Sequence, residues 1–173
     1  MEAISSRRAP RMLPADRSTS ISRARAQSAR VDPTTTSLKK VERATLCLLN
    51  QKRRQHGLRK LRNNKRLWKA SKRHSRRMVA RKVFEHGNFV GRIKAARYLK
   101  GSGSWSVGEN IAWGSGDLAT PAEIMRAWMN SPPHRHNILS GKFREIGVGV
   151  VRGVPVRRSY DGATYTTDFG RRG

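Results

Sequence analysis

The chain has 173 residues, of which 36% are hydrophobic, which is the size and apolar content of one ordinary domain with a tail. Its apolar runs span only a few residues, whereas a membrane-spanning helix needs about 20, so the sequence predicts no such helix. The single cysteine, Cys47, excludes an internal disulfide framework and a zinc site built on paired thiolates, and 38 Lys and Arg against 11 Asp and Glu give a formal net charge of +27.

The positive charge is concentrated in one part of the chain. Residues 39–100 contain 22 of the Lys and Arg residues and only two acids, Glu42 and Glu85. We therefore expect half of the domain to carry a cationic surface that attracts polyanions, such as nucleic acid, anionic lipid headgroups or acidic cell-surface polymers. A basic surface that is merely solvated is the alternative interpretation.

Residues 1–37 consist mainly of Ser, Thr, Arg, Ala and Pro, with few aliphatic side chains. Such a segment cannot bury enough apolar surface to offset the entropy of ordering it, so we predict a disordered basic N-terminal segment. A secretory signal peptide would need an apolar stretch of about 7–15 residues after its positive start, and none is found here. We therefore expect either export by another route or a native start other than Met1.

The folded domain is predicted to cover residues 38–173. Apolar residues recur at three- and four-residue steps from its first residue onward, which predicts an amphipathic helix that ends before Gly57. A second stripe from Leu67 to Met78 predicts a second helix. Its small buried side chains favour close packing, and its other faces are Lys and Arg. A third, short helix is predicted over residues 91–98.

The hydrophobic period changes after the Gly- and Ser-rich turn at 101–104. Alternation at 109–113 predicts a strand, and the string from Thr120 to Glu123, with Pro121 between, is typical of a capped helix start. Alternating apolar residues at 146–150 and 163–169 predict two antiparallel strands. Together with the preceding helices, these elements predict an α+β domain in α-β-α layers.

The sequence contains no nucleophile elbow, dinucleotide-binding glycine motif, P-loop or zinc-protease helix motif. A dispersed polar set remains, and its members could ligate a divalent metal or act as general acids and bases, since imidazole and carboxylate suit both roles. The set is His74, His86, Glu109, His134 and His136. His74 lies on the apolar stripe of its helix, so we expect a hydrogen-bonded core histidine there.

Three strings are more specific than this spacing: Phe84-Glu85-His86, Gly108-Glu109-Asn110 and the run from Trp128 to Leu139. They resemble the CAP superfamily, also called SCP-like, which includes cysteine-rich secretory proteins, venom antigens and plant pathogenesis-related proteins. The bacterial branch is the most similar. Weaker matches in the same order extend the resemblance over residues 39–170, including Leu48-Leu49-Asn50, His74-Ser75, Ile146-Gly147-Val148-Gly149 and the run from Tyr165 to Gly170.

The resemblance implies a three-layer α-β-α sandwich with a central antiparallel sheet and an open cleft, which holds two His and two Glu in many members. His86 matches the first His of that cleft, Glu109 its strand Glu, and His134 its second His. The remaining Glu position is occupied here by Ser131. This replacement weakens a metal site without excluding one, because His86, Glu109 and His134 with water could still bind zinc.

Two amides complete the predicted cleft. We expect Asn110 and Asn137, with Ser131, to hold the cleft together by hydrogen bonds, since buried polar groups need partners. Ser131 lies three residues before His134, so a hydrolytic pair is conceivable, although the sequence reveals no oxyanion hole.

The resemblance therefore implies a noncatalytic binding module, secreted or in the cell envelope, that acts as a monomer on lipids or anionic cell-surface polymers. Two alternatives stay open. One is a metal-dependent hydrolase that uses His86, Glu109 and His134. The other is a binder of nucleic acid as a nonspecific polyanion, because nearly every exposed position of the basic helices is Lys or Arg, which suits phosphate contact better than base reading.

Overall fold

The structure is a computed structural model that describes Gln27, residues 30–157 and residues 161–173. Its helices are α1 (Leu38–Gln55), α2 (Lys65–Arg81), α3 (Phe89–Ala95), α4 (Pro121–Asn130) and α5 (Pro132–Leu139). Its strands are β1 (Arg62–Asn63), β2 (Trp105–Ser115), β3 (Glu145–Arg152) and β4 (Gly162–Arg172). Among the described residues, no helix combines the length and the apolar character needed to cross a membrane.

The four strands form one sheet in the order β1-β3-β4-β2. β2 and β3 each pair antiparallel with β4, whereas β1 pairs parallel with β3 through only two residues. The predicted α+β sandwich is confirmed, but the sheet is mixed rather than wholly antiparallel. A two-residue strand shows no alternation of polar and apolar side chains, so the sequence did not predict β1.

Helix α2 packs against one face of the sheet, on β3 and β4, with α3 beside it. The helix backbone lies almost directly on β3, because a Cβ atom added at Gly147 would be 2.1 Å from the carbonyl carbon of Leu67. At Gly149 it would be 2.2 Å from the backbone nitrogen of Lys72. Ser75 fastens the contact by donating from Oγ to the Gly149 carbonyl at 2.9 Å. Two side-chain-free positions in β3 therefore set the spacing between helix and sheet.

The opposite face carries α1, α4 and α5 and the main apolar core. Trp128 and Tyr165 are among its largest fully buried side chains, and both satisfy their polar atoms inside it. The Trp128 indole donates to the Ile111 carbonyl at 3.1 Å, and the Tyr165 hydroxyl donates to the Ala119 carbonyl at 2.6 Å. These bonds connect α4 to β2 and the turn before α4 to β4, so they hold this layer of helices on the sheet.

The predicted helix boundaries are confirmed in part. Asn64 begins α2 by accepting from the backbone N–H groups of its first turn, and Lys82 ends it in the left-handed conformation at φ 54°. Helix α3 ends at Ala95, three residues before the predicted end at 98. Helix α5 was not predicted, because Pro132 and Pro133 directly after α4 are typical of a helix end. Proline also suits the first position of a helix, so Pro132 begins the next one.

Residues 30–37 precede α1 as a turn beside the end of β3. The Asp32 carboxylate accepts from the backbone N–H of Thr34 at 2.8 Å. Arg152 donates to the carbonyls of Thr34 and Thr36 at 2.9 and 3.1 Å. The rest of the predicted disordered segment 1–37 lies outside the described residues, apart from Gln27.

Candidate functional site

Glu109 is the centre of the polar cleft. It lies on β2, and its side chain is only 1% exposed. Its Oε1 accepts from Nδ1 of His86 at 2.8 Å, and its Oε2 accepts from Nη2 of Arg92 at 2.5 Å. Both carboxylate oxygens are therefore held by nitrogen donors from the segment between α2 and β2.

The loop between α2 and α3 brings these donors to the strand. The left-handed Lys82 ends α2 and turns the chain towards β2, and Asn88 caps α3 by accepting from the Gly91 N–H at 2.7 Å. Arg92, one turn into α3, also donates from Nη1 to the His86 carbonyl at 2.7 Å. One guanidinium thus fixes both the loop and the carboxylate, while the imidazole of His86 remains 49% exposed at the surface of the cleft.

The electrostatics of Glu109 are decided by these contacts. Burial by itself raises the pKa of a carboxyl group, because it penalises the charged form. Here the hydrogen bonds from His86 and Arg92, with the positive charge of Arg92, outweigh burial and lower the pKa of Glu109. The cleft therefore holds a charged carboxylate at neutral pH, compensated from within the chain.

A second carboxyl group lies on the adjacent strand, directly opposite the first. Asp168 on β4 pairs in register with Glu109 and is fully buried. Neither of its oxygens has a well-formed hydrogen bond among the described residues. Burial, reinforced by the negative charge of Glu109, raises the pKa of Asp168 well above its usual range. The pKa values of the two facing carboxyl groups are thus shifted in opposite directions. Glu109 favours the charged form and Asp168 the neutral form.

His74 approaches the same carboxylate from α2. Its Nε2 lies 4.0 Å from Oε1 of Glu109 and donates to the Glu85 carbonyl at 2.9 Å. Burial lowers the pKa of His74 and outweighs the opposing effect of the Glu109 charge. The neutral imidazole is therefore favoured. The prediction of a hydrogen-bonded core histidine is confirmed.

The remaining predicted residues form a connected hydrogen-bond network. Asn137 donates from Nδ2 to the Glu109 carbonyl at 3.2 Å and to Oδ1 of Asn110 at 2.9 Å. Asn110 in turn donates to the His134 carbonyl at 3.0 Å. Nδ1 of His134 is 2.8 Å from Oγ of Ser131. The two amides thus tie α5 to β2.

The side chain of His134 is directed to Ser131 by this contact. Burial lowers the pKa of His134, and the electrostatic effect of His86 lowers it further. The imidazole in hydrogen-bond contact with Glu109 is His86, and the next nearest is His74.

These residues do not fit a divalent metal ion. Within the described part of the chain, no three His, Cys, Asp or Glu side chains come together as a possible ligand group. The predicted set of His86, Glu109 and His134 would need a Glu109 oxygen, but both oxygens already accept from an imidazole and a guanidinium. Arg92 thus supplies the positive charge that a cation would bring to this carboxylate.

Sequence reasoning missed Arg92 and Asp168. Arg92 was one of many basic residues between 39 and 100, and only the helix that follows the His86 loop turns it towards β2. Asp168 lies within the run from Tyr165 to Gly170 that contributes to the resemblance. A carboxyl group in the middle of a buried strand was the available signal, but its partner depends on strand register.

The fold and this cleft define a class of protein. Residues 46–165 match the model of the CAP family, the cysteine-rich secretory protein family, and the chain belongs to that family. Over 145 residues it is 34% identical to YkwD, an uncharacterized protein of Bacillus subtilis. That match covers 79% of this chain but 53% of YkwD, so the chain spans about half the length of this relative.

Solved structures show the same fold. An outer surface protein of Borrelia burgdorferi superposes with a TM-score of 0.64 at 20% identity, covering 80% of this chain and 97% of that protein. An extracellular SCP-domain protein of Bacillus anthracis superposes with a TM-score of 0.59 at 24% identity, covering 79% of this chain and 44% of the other. At these identities, the likeness concerns the fold alone.

Proposed function

We propose that this CAP domain is a noncatalytic binding module, secreted or in the cell envelope, that attaches to anionic surface polymers or lipids through its positive charge. The location is supported by the relatives, of which one is an outer surface protein and another an extracellular protein. The mode of attachment is supported by the net charge of +27 and by the exposed cations of the chain.

The cationic surface, defined here as the exposed Lys and Arg of residues 39–100, is the observation that carries the proposal. Of the 22 Lys and Arg in this segment, 18 are exposed. Within the described residues, the ion pairs of the segment are made by Lys72 with Glu42 and by Arg92 with Glu109, and neither of these cations is among the 18. The exposed charges are therefore available to an external polyanion.

The polar cleft supports binding better than hydrolysis. A metal-assisted mechanism needs an ion with an open coordination position, whereas the carboxylate of Glu109 is neutralised by Arg92. Ser131 and His134 are in contact, but the serine lies at the start of α5, where it acts within a local turn. The hydrogen bonds of Asn110 and Asn137 indicate a structural role for the inner cleft.

Retention on an immobilised polyanion tests the proposal. Heparin retention should fall steeply with salt, because each phosphate or sulfate contact releases condensed counterions. The double variant Lys40→Gln/Arg43→Gln, on α1, should elute at lower salt than the wild type. Arg135→Gln/Lys142→Gln removes the same charge from exposed positions outside the cationic surface and should change elution less. Retention that is indifferent to salt would overturn the proposal.

A comparison of polyanions separates the two binding hypotheses. DNA and heparin at matched charge density should bind with similar affinity and similar salt dependence if generic electrostatics governs attachment. A preference for DNA that persists as salt is raised would instead favour the nucleic-acid alternative. Equal effects of the two double variants would mean that net charge, and not this surface, determines retention.

A further inference from the structure

A groove between α2 and α3 gathers part of the cationic surface around a cavity. It has a volume of about 600 Å³, and none of its lining residues is acidic. Lys69, Arg73 and Arg77 line it from α2, and Arg92 lines it from α3. The groove is separate from the predicted cleft residues of β2 and α5, although Arg92 borders both.

The three α2 cations form one stripe. They are spaced by four residues, which places successive side chains on the same side of the helix with a rise of about 6 Å between them. Arg73 and Arg77 are exposed, and neither pairs with an acid among the described residues. The stripe therefore presents two guanidinium groups about one helical turn apart.

Three small apolar residues also line the groove. Ala70 of α2 and Ala95 and Ala96 beside it line the cavity, and an apolar cluster of Leu67, Ile93, Tyr98 and Leu99 lies in the same layer. That cluster packs α2 against α3 and the segment after it, so the walls of the groove are held by buried contacts. A volume of this size lies in the range of small-molecule sites, roughly 300–1,000 Å³.

We propose that this groove binds a phosphate-bearing group with at least two negative charges, such as a phosphomonoester or a diphosphate, with Arg73 and Arg77 as its principal ligands. Arginine's planar fork matches phosphate oxygens and donates two parallel bonds to them. Arg92 is already bonded to Glu109 and the His86 carbonyl, so its charge is compensated and its side chain serves as a fixed wall of the groove. The inference rests on the proposed function, because it gives the cationic surface one defined site.

Pyrophosphate is the probe for this site. It should bind the wild-type chain saturably in a calorimetric titration at fixed ionic strength. Arg73→Gln/Arg77→Gln should weaken binding about tenfold or more, because it removes the charge-assisted hydrogen bonds of both guanidinium groups. The control Arg76→Gln/Arg81→Gln removes the same charge from exposed residues of α2 that do not line the groove, and it should change affinity less than about twofold if long-range attraction is modest.

Absence of saturable binding, or equal losses in the two variants, would overturn the proposal. Such a result leaves salt-dependent heparin retention intact, so failure of the site is distinguishable from failure of the proposed function.

Vesicles containing phosphatidic acid then identify the source of the phosphate. Displacement of pyrophosphate by the vesicles supports a lipid headgroup in the groove, and the lack of displacement supports a free phosphorylated ligand. Because both variants change exposed side chains, matching thermal unfolding curves verify that the fold is retained.

Discussion

Replacement of Arg92 by Met tests whether the cleft depends on its internal cation. The substitution removes the guanidinium and keeps a side chain of similar length, while Glu109 stays buried on β2. The two side chains are 13% and 1% exposed, so the pair is largely shielded from solvent. Removal of one partner of a buried pair costs about 3–5 kcal/mol, and we expect the lower end because His86 still donates to the carboxylate.

The loss of stability caused by Arg92→Met should depend on pH, and the direction of this dependence follows from the pKa of Glu109. In the wild type, the pKa of Glu109 is lowered from its ordinary value of 4.5, so its contribution is present above that pH and is lost as the pH falls. Without Arg92, burial dominates and raises the pKa of Glu109. The Arg92→Met variant should therefore lose stability as the pH rises above about 4.5, and its deficit should grow towards pH 7.

Urea unfolding at pH 4.5 and pH 7 measures this deficit. The double variant Arg92→Met/Glu109→Gln should recover much of the loss at pH 7, because no buried charge remains unpaired. Lys94→Met, at an exposed position of the same helix, is the matched control and should stay within about 0.5 kcal/mol of the wild type. A deficit for Arg92→Met below about 1 kcal/mol that does not change with pH would refute the reasoning.

Three further substitutions probe other parts of the fold by thermal or urea unfolding. The raised pKa of Asp168 means that the contribution of this carboxyl group to stability falls as the pH rises above its ordinary value of 3.8, so the advantage of Asp168→Asn over the wild type should grow from pH 4 towards pH 7. Gly149→Ala should cost about 2 kcal/mol or more, because its methyl group would collide with the backbone of α2. Tyr165→Phe should cost about 1–2 kcal/mol, because it leaves the buried Ala119 carbonyl without its donor.

Each of these predictions has an outcome that contradicts it. A stability difference for Asp168→Asn that is constant with pH would mean that the carboxyl group does not titrate differently in the folded and unfolded chains. Gly103→Ala, where an added methyl group meets open space, is the control for Gly149→Ala, and equal losses would argue against steric contact with α2. A neutral Tyr165→Phe variant would mean that the hydroxyl bond contributes nothing net.

The local elements were predictable because their signals are local. The stripe from Leu67 to Met78 predicted α2, and burial of Leu67, Ala70, His74 and Met78 confirms the face it assigned. The capped start at Thr120 predicted α4, where the threonine side chain accepts from the Glu123 N–H. In each case, the helical period and the cap lie within a few neighbouring residues, so no tertiary information was needed.

The candidate site was predicted only in part for the opposite reason. The resemblance identified His86 and Glu109, and these are in direct contact. It grouped His134 with them, whereas the described contacts of that imidazole are with Ser131. The position of a residue in a motif constrains where it lies on its helix or strand. It does not determine which neighbouring side chain forms a hydrogen bond with it.

The sequence by itself determined the charge of the molecule, the helical and strand periods and the membership of the CAP family. Tertiary structure decided that Arg92 compensates Glu109, that Asp168 faces the same carboxylate, and that α2 and α3 enclose a basic groove. The physical reason is the range of each constraint. Periodicity and capping act over a few residues, whereas strand register and helix packing join residues far apart in the chain, where one shift changes every partner.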